Sequence, residues 1–328
     1  MTTSNPDVLV IGAGISGLST ALVLLGSGLT VAVYAADPPH RTTSAAAGAL
    51  WGAHLVGADD RVGVWAALTL DRFRELSATG DPASGVREMR GLAAFSSEEP
   101  EVPDFAVGLT GLVKADPAGL PPGYRSGLRY SAPVIAMPVY LDYLTDQVIA
   151  GGGLLHFGRP LRDLADAAAS SPAPLLVNCT GMGARTLTPD ADLVPVRGQV
   201  VVVANPGLTE FFVGEREVSD DITYFFPHGA TAVLGGVEQH GNASTDPDRA
   251  LAANIIRACV AVEPRLADAA VLAHRVGLRP VRPNVRLETE PLPDGRHVVH
   301  NYGHGGSGVT LSWGCALAVR DEVAALLR

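Results

Sequence analysis

The sequence predicts an α/β fold at both ends of the chain combined with an α+β region between them. Three observations carry this. Residues 7 to 34, DVLVIGAGISGLSTALVLLGSGLTVAVY, read as strand, glycine turn, helix and strand. Residues 297 to 328 give a strand, a glycine-rich loop and a closing helix. Between 196 and 237 strand patterns follow one another with no helix, which is not a βαβ repeat.

Taken in order, the β-branched run Val8 to Ile11 stops at Gly12, apolar helical spacing resumes from Ile15 to Leu25, and Val31 to Tyr34 is again strand-like. The small-residue segment 42–54, TTSAAAGALWGAH, is suited to run close to a ligand. A helix is expected over 59–76, with Asp59 or Asp60 as its N-cap. Residues 80–133, rich in Pro, Gly, Ser and Glu, hold only short strand-like pieces and begin a more β-rich region. VYLDYLTDQVIA, 139–150, regains helical spacing and stops at Gly151 to Gly153. PLLVNCTG, 174–181, reads as a buried strand able to rejoin the first sheet. Strands are expected at 196–204, 209–214, 222–226 and 231–237, and a helix at 247–261.

At 328 residues, 47% hydrophobic, the chain is long enough for two cores. Gly26, Ser27 and Gly28 interrupt its best apolar run, so no stretch reaches the roughly 18 residues of a membrane span. The start, MTTSNPDVLVIGAG, lacks a basic region followed by an apolar one, and the end, AALLR, is no peroxisomal tripeptide. Cys179, Cys259 and Cys315 form no CxxC pair, which argues against a disulfide framework or a thiolate metal site. A reducing cytoplasm is the expected setting. A net charge of −10 without long runs argues against nucleic acid as a partner.

Gly12, Gly14 and Gly17 form G-x-G-x-x-G between strand and helix, where N–H groups at the positive helix end can donate to a pyrophosphate. A bound dinucleotide is expected, and Asp37, just past the second strand, is the candidate ribose partner. This motif does not separate FAD from NAD. GHGGSG, 303–308, precedes the helical pattern VTLSWGCALAVRDEVAALL and is a second glycine loop feeding a helix N-terminus. Two such loops at opposite ends of the chain suggest one long cofactor held from both sides.

VVHNYGHGGSGVTLSWGCA resembles the signature of the D-amino acid oxidase family, flavoenzymes that include D-aspartate oxidase and, more distantly, glycine and sarcosine oxidases. The resemblance extends through VIGAGISGLSTAL, TTSAAAGALW, VNCTGMGA, VRGQ, TYFFPHG, VLGGVEQHGN and GLRPVRP, in the family's order. It implies a discontinuous, Rossmann-like FAD-binding domain (1–57, 139–192 and 276–328) and a mixed-sheet substrate-binding domain (58–138 and 193–275). It implies noncovalent FAD, with the loop 304–310 over the pyrimidine side of the flavin. The expected cofactor-binding set is Gly12, Ala13, Gly14, Ile15, Ser16, Gly17, Asp37, Thr42, Thr43, Ser44, Gly48, Ala49, Leu50, Leu161, Thr180, Gly181, Gly305, Gly306, Ser307, Gly308, Val309 and Thr310.

An α-amino acid needs a carboxylate clamp, which arginine's fork supplies. In GLRPVRP the resemblance puts that clamp at Arg282, with Arg279 as the neighbouring alternative; either is also a candidate structural ion-pair residue. Tyr224 matches a tyrosine whose hydroxyl binds the same carboxylate, and Gly306 a carbonyl that holds the neutral amino group. The implied reaction is hydride transfer from Cα to flavin N5, giving an imino acid that hydrolyses to a 2-oxo acid and ammonia while O2 becomes hydrogen peroxide. The implied partners are a D-amino acid, O2 and, from family habit, a second subunit. No acid/base dyad is evident; catalysis would be positioning around the cofactor's redox chemistry.

His300 and His304 are read as loop-shaping or flavin-proximal residues, not a metal pair, because Gly303, Gly305 and Gly306 oppose a helix there. Cys315 is read as a small buried helix residue, not a flavin attachment point. The segment VGEREVSDDITY before Tyr224 is shorter than in eukaryotic members and lacks their second tyrosine, so a more open site is expected. His54 stands where mammalian members have a pocket tyrosine, and Ser307 belongs to the same expected pocket. Glu238 stands where D-aspartate oxidases place an arginine. If it faces the pocket, it favours neutral or basic over acidic side chains; otherwise it is a solvated strand residue. Rival readings are a glycine or sarcosine oxidase, a nicotinamide-dependent dehydrogenase, and a flavin binder without turnover.

Overall fold

The structure, a computed structural model, describes residues 5–57, 59–99, 102, 108–216 and 219–328. The chain opens with β1 (Val8–Ile11), α1 (Ile15–Gly26) and β2 (Val31–Tyr34). There follow α2 (Thr43–Ala46), α3 (Arg61–Ala78), β3 (Val86–Phe95), β4 (Thr110–Lys114), β5 (Ser126–Ile135), α4 (Met137–Ala150), β6 (Leu154–His156), α5 (Leu164–Ser170), β7 (Leu175–Asn178) and α6 (Ala184–Leu187). The rest is β8 (Val194–Ala204), β9 (Phe211–Arg216), β10 (Ser219–His228), β11 (Thr231–Gly235), β12 (Gln239–His240), α7 (Arg249–Val262), β13 (Val271–Pro291), β14 (His297–His304) and α8 (Gly308–Leu326).

All the main strands belong to one sheet, in the order β4-β5-β3-β9-β10-β11-β8-β13-β14-β7-β1-β2-β6, with β12 paired to β8. The stretch β14-β7-β1-β2-β6 is parallel throughout, with Val8 in register with Val31 on one side and Leu175 on the other. Strands in such a sheet are covered on both faces, so they appear in the sequence as unbroken apolar runs. Val8 and Val10 pack towards α1, α4 and α8, in a core with Leu18, Leu144 and Leu311. Leu9 and Ile11 face the opposite layer, with Ala167, Ala168 and Leu187. This is the period-two alternation of a strand, with both sides apolar.

The remaining strands pair antiparallel apart from β3 and β9. Leu92, Val201, Phe212, Phe225 and Leu234 close their own core against Ala252, Ile255 and Cys259 of α7. The 21-residue β13 joins the two parts. Its first half, up to Val281, runs along β8, and Arg286 to Pro291 run along β14, with a register break between Val281 and Arg286.

The helices expected over 59–76, 139–150 and 247–261 lie at Arg61–Ala78, Met137–Ala150 and Arg249–Val262. Asp60 is the N-cap position of α3 but makes no side-chain cap; Asp59 instead accepts from the Arg61 amide at 2.9 Å and from its guanidinium. Region 80–133 holds the ten-residue β3 and all but the last two residues of the ten-residue β5, not short pieces. Among the described residues no helix is long and apolar enough to cross a membrane.

Candidate active site

A cavity of about 1100 Å³ runs from the ends of β1 and β2 to the antiparallel strands β10 and β13. At its first end lie Gly12, Ala13, Gly14, Ile15, Ser16, Asp37, Thr42, Thr43, Ser44, Leu161, Thr180 and Gly181. Gly48, Ala49, Leu50, Gly305, Gly306, Gly308, Val309 and Thr310 line its middle, and His54, Tyr224, Glu238 and Arg279 its far end. Three expected site residues, Gly17, Ser307 and Arg282, are not part of this lining.

The turn after β1 needs glycine for two separate reasons. Gly12 sits at φ +110°, where a Cβ would stand 2.5 Å from the Cys179 carbonyl oxygen. A Cβ at Gly17 would stand 1.9 Å from the carbonyl oxygen of Gly12, so this glycine packs helix against turn and does not face the cavity. Gly14 starts α1 with no side-chain cap and no acidic residue in the first turn. Ser44 Oγ accepts from the Ile15 amide at 3.0 Å, fastening the 42–44 segment beside that helix end. The positive end of the helix is thus presented to the cavity.

The second glycine loop is built against segment 52–55. Gly305 has φ +56°, and a Cβ there would stand 1.7 Å from the Leu55 carbonyl oxygen. A Cβ on Gly306 would stand 2.7 Å from His54 Cδ2. Ser307 is buried: its Oγ donates to the His54 carbonyl at 2.8 Å and accepts from the His54 amide at 2.7 Å. Thr310 Oγ1 bridges the carbonyl and amide of Gly52 in the same way. Ser307 is therefore a staple behind the cavity wall, correcting its expected place in the pocket. The uncapped start of α8 is the second helix N-terminus aimed into the cavity.

The two loops also hold each other. Ser16 Oγ donates to the Asn301 carbonyl at 3.3 Å, and Asn301 Nδ2 donates to Thr20 at 3.2 Å. His304 Nε2 meets Asn301 Oδ1 at 3.0 Å. His300, fully buried, bridges Asn178 and Glu290. Cys315 is buried inside α8, and burial pushes its thiol well up.

Burial also pushes His304 down to about 4. His228, whose Nε2 meets the Gly48 carbonyl at 2.9 Å, is lowered to about 4 by desolvation, outweighing that hydrogen bond. Both lie below the unfolded histidine value, so between about pH 6.5 and 4 the unfolded chain binds more protons. Stability is fully present above this window and is lost as pH falls through it, with a slope approaching about 3 kcal/mol per pH unit for two protons. Denaturant midpoints measured across the window, with His304→Gln and His228→Gln each removing about one proton of slope, check this; parallel curves for all three proteins would contradict it.

Tyr224 stands in a slot made by glycines. Its ring stacks on Phe226 with centroids 4.6 Å apart, and a Cβ at Gly235 would stand 2.4 Å from its hydroxyl. Added Cβ atoms at Gly236 and Gly48 would stand 2.3 and 3.1 Å from its ring. Burial raises its hydroxyl, and the nearby charge of Arg279 opposes this.

Arg279 reaches the cavity because Gly198, on the neighbouring β8, leaves room for its guanidinium: a Cβ there would stand 2.7 Å from Nη1. Nη1 donates to the Val237 carbonyl at 3.1 Å. Arg282 is turned the other way. Its Nε donates to Asp190 at 3.0 Å and its Nη1 to the Asn284 carbonyl at 3.2 Å, in a separate polar hollow with Arg61 and Arg286. Tyr302 donates to the same Asp190 oxygen at 2.8 Å. Burial raises the Asp190 carboxyl, but Tyr302 and Arg282 outweigh it and hold it below the usual range. The expectation for Arg282 is thus corrected in favour of its neighbour: residues three apart on a strand face opposite sides.

Glu238 faces the cavity, its side chain 9% exposed. It forms an ion pair with His54 Nε2, and His240 Nε2 lies at 3.8 Å. Burial raises its carboxyl, but His54, Arg279 and His240 outweigh this and hold it below the ordinary carboxylate value. Two further arginines, Arg41 and Arg159, line the Asp37 end and were not anticipated; Arg159 lies 4.5 Å over the Tyr34 ring. Their only signal in the sequence is position, one just before TTS and the other after β6.

Residues 7–322 match the FAD dependent oxidoreductase family. A D-amino-acid oxidase of Rubrobacter xylanophilus is 47% identical over 318 residues, 97% of this chain and 94% of that protein. One of Streptomyces coelicolor is 43% identical over 314 residues, 94% of each. Among solved structures, glycine oxidase from Geobacillus kaustophilus superposes with a TM-score of 0.80 at 17% identity, covering 98% of this chain and 95% of that one.

Proposed function

The chain belongs to the FAD dependent oxidoreductase family, and from that premise we propose that it is a D-amino acid oxidase acting at the far end of the cavity. One observation carries the reading: Arg279 and Tyr224 share a continuous cavity with two glycine loops and two uncapped helix N-termini. The residues fit FAD. The Gly12–Ser16 turn and Thr42–Ser44 would hold the pyrophosphate, Asp37 a ribose, and Gly48–Leu50 with Gly305, Gly306 and Gly308–Thr310 the ring system. A Cβ at Gly12 would stand 2.5 Å from the Cys179 carbonyl oxygen and one at Gly14 3.1 Å from Ser44 Oγ, so glycine at both positions keeps the cradle's walls close together. The division into a cofactor domain (1–57, 139–192 and 276–328) and a substrate domain (58–138 and 193–275) is part of the proposal.

Arg279 binds the substrate carboxylate through its fork, and the Tyr224 hydroxyl donates to the same group. Tyr224 stays protonated as a donor because burial raises it. The Gly306 carbonyl accepts from the neutral amino group, fixing Cα between two anchors, so one enantiomer presents its hydrogen correctly. Leu128, Tyr130 and Val213 line an apolar wall for the side chain, and Glu238 disfavours a second carboxylate. FAD, held by these residues, would supply the two-electron redox chemistry by which a D-amino acid, O2 and water become a 2-oxo acid, ammonia and hydrogen peroxide. The three cysteines, all unpaired, support a reducing cytoplasmic setting.

The test is anaerobic: the FAD-loaded protein is mixed with D- and L-amino acids, glycine and sarcosine while its visible flavin band is followed. Bleaching by D-alanine or D-methionine but not by their L-enantiomers is expected. Bleaching by glycine or sarcosine alone would move the assignment to glycine oxidase chemistry, and no bleaching by any amine would sink it.

A further inference from the structure

Glu238 is a nearly buried carboxylate at the substrate end of the cavity. An uncompensated charge there is costly, so it needs a cation. Among the described residues its ion-pair partners are two imidazoles, His54 and His240. Arg279 on β13 contributes only at longer range, since its Nη1 is bound to the Val237 carbonyl. Tyr224 on β10 is un-ionised, and His304, behind the α8 loop, is neutral. Glu215 on β9 is a second carboxylate in the cavity lining. The balance around Glu238 therefore rests mainly on the His54 ring that contacts it directly.

Position matters as much as charge. His54 is fixed by its backbone to Ser307, and its ring lies against Gly306. Glu238 follows Val237, whose carbonyl Arg279 holds. The His54–Glu238 pair thus spans the cavity between the loop that takes the amino group and the wall that takes the carboxylate. A side chain leaving Cα meets this pair.

Resting on the oxidase reading, the geometry points to Glu238 as the specificity residue for D-amino acids with a cationic side chain, His54 serving as its exchangeable counterion. The substrate's guanidinium or ammonium replaces the His54 ring on Glu238. A neutral substrate leaves the pair intact.

Two measurements test this. Glu238→Gln is expected to lower the ratio of kcat/KM for D-arginine to that for D-methionine by about tenfold or more. An unchanged ratio would overturn the inference. Independently of any variant, calorimetry on the FAD-loaded wild type compares the binding of 5-guanidinopentanoate and hexanoate, carboxylates that lack an amino group to oxidise. The guanidino acid is expected to bind about tenfold or more tightly, and equal affinity would overturn the exchange. If wild type turns over no D-amino acid, the oxidase reading itself fails. If it oxidises D-methionine but neither the ratio nor the affinities show the effect, only this inference fails.

Discussion

Arg279→Ala lowers kcat/KM for D-amino acids by about 10²–10³-fold, carried largely by KM, whereas Arg282→Ala leaves turnover near wild type and lowers thermal stability. Removing one partner of a desolvated, charge-assisted pair costs about 3–4 kcal/mol, which converts to that range. Arg279 is the arginine at the far end of the cavity, beside Tyr224, with Gly198 cleared beneath it. Arg282 is committed to Asp190, whose side chain is only 6% exposed, so its loss leaves that carboxylate to Tyr302 and to Arg286 at 3.9 Å and costs about 1–3 kcal/mol of folding. Steady-state kinetics and thermal melts on the two variants separate these roles. A larger kinetic loss in Arg282→Ala than in Arg279→Ala would reverse the assignment.

Gly305→Ala abolishes flavin retention and destabilises the fold by roughly 3 kcal/mol or more. A side chain at φ +56° costs about 1–2 kcal/mol, and its Cβ would overlap the Leu55 carbonyl oxygen at 1.7 Å, adding a comparable or larger packing cost. Leu55 cannot yield easily, because it already sits at φ +49° and its neighbour His54 is stapled to Ser307. Gly308→Ala is the matched control: the nearest atom to its Cβ is 3.8 Å away, so folding is little changed. Flavin absorbance per mole of purified protein and thermal unfolding read both variants. A yellow Gly305→Ala protein with unaltered melting would refute this account of the loop.

The parallel half was legible because its strands are apolar on both faces. Val8–Ile11, Val31–Tyr34 and Leu175–Asn178 each stand out as an unbroken run. β13 was not legible. Pro280, Pro283 and Pro291 interrupt it, and most of its residues are only half-buried, so neither a run nor an alternation forms. β3 and β5 were obscured similarly, by the exposed Arg87, Glu88 and Arg90 and by Pro133. In the site, glycine positions were readable because backbone approach admits no other residue. Which arginine faced inward was not, since spacing alone says that Arg279 and Arg282 point to opposite sides without saying which side holds the cavity. The Glu238–His54 contact joins residues far apart in sequence and left no local trace.

The register break in β13 can be viewed as a phase marker. Upstream of it, pairing with β8 fixes Arg279 opposite Val196; downstream, pairing with β14 fixes Arg286 opposite Tyr302. The extra residues between Val281 and Arg286 let each half keep its own alternation, so neither part of the sheet dictates the other's phase. A one-residue slip upstream would carry Arg279 to the back of the sheet. Single-residue insertions or deletions are therefore better accommodated between positions 282 and 285 than anywhere else along the strand, and length can change there while Arg279 keeps its place in the cavity lining.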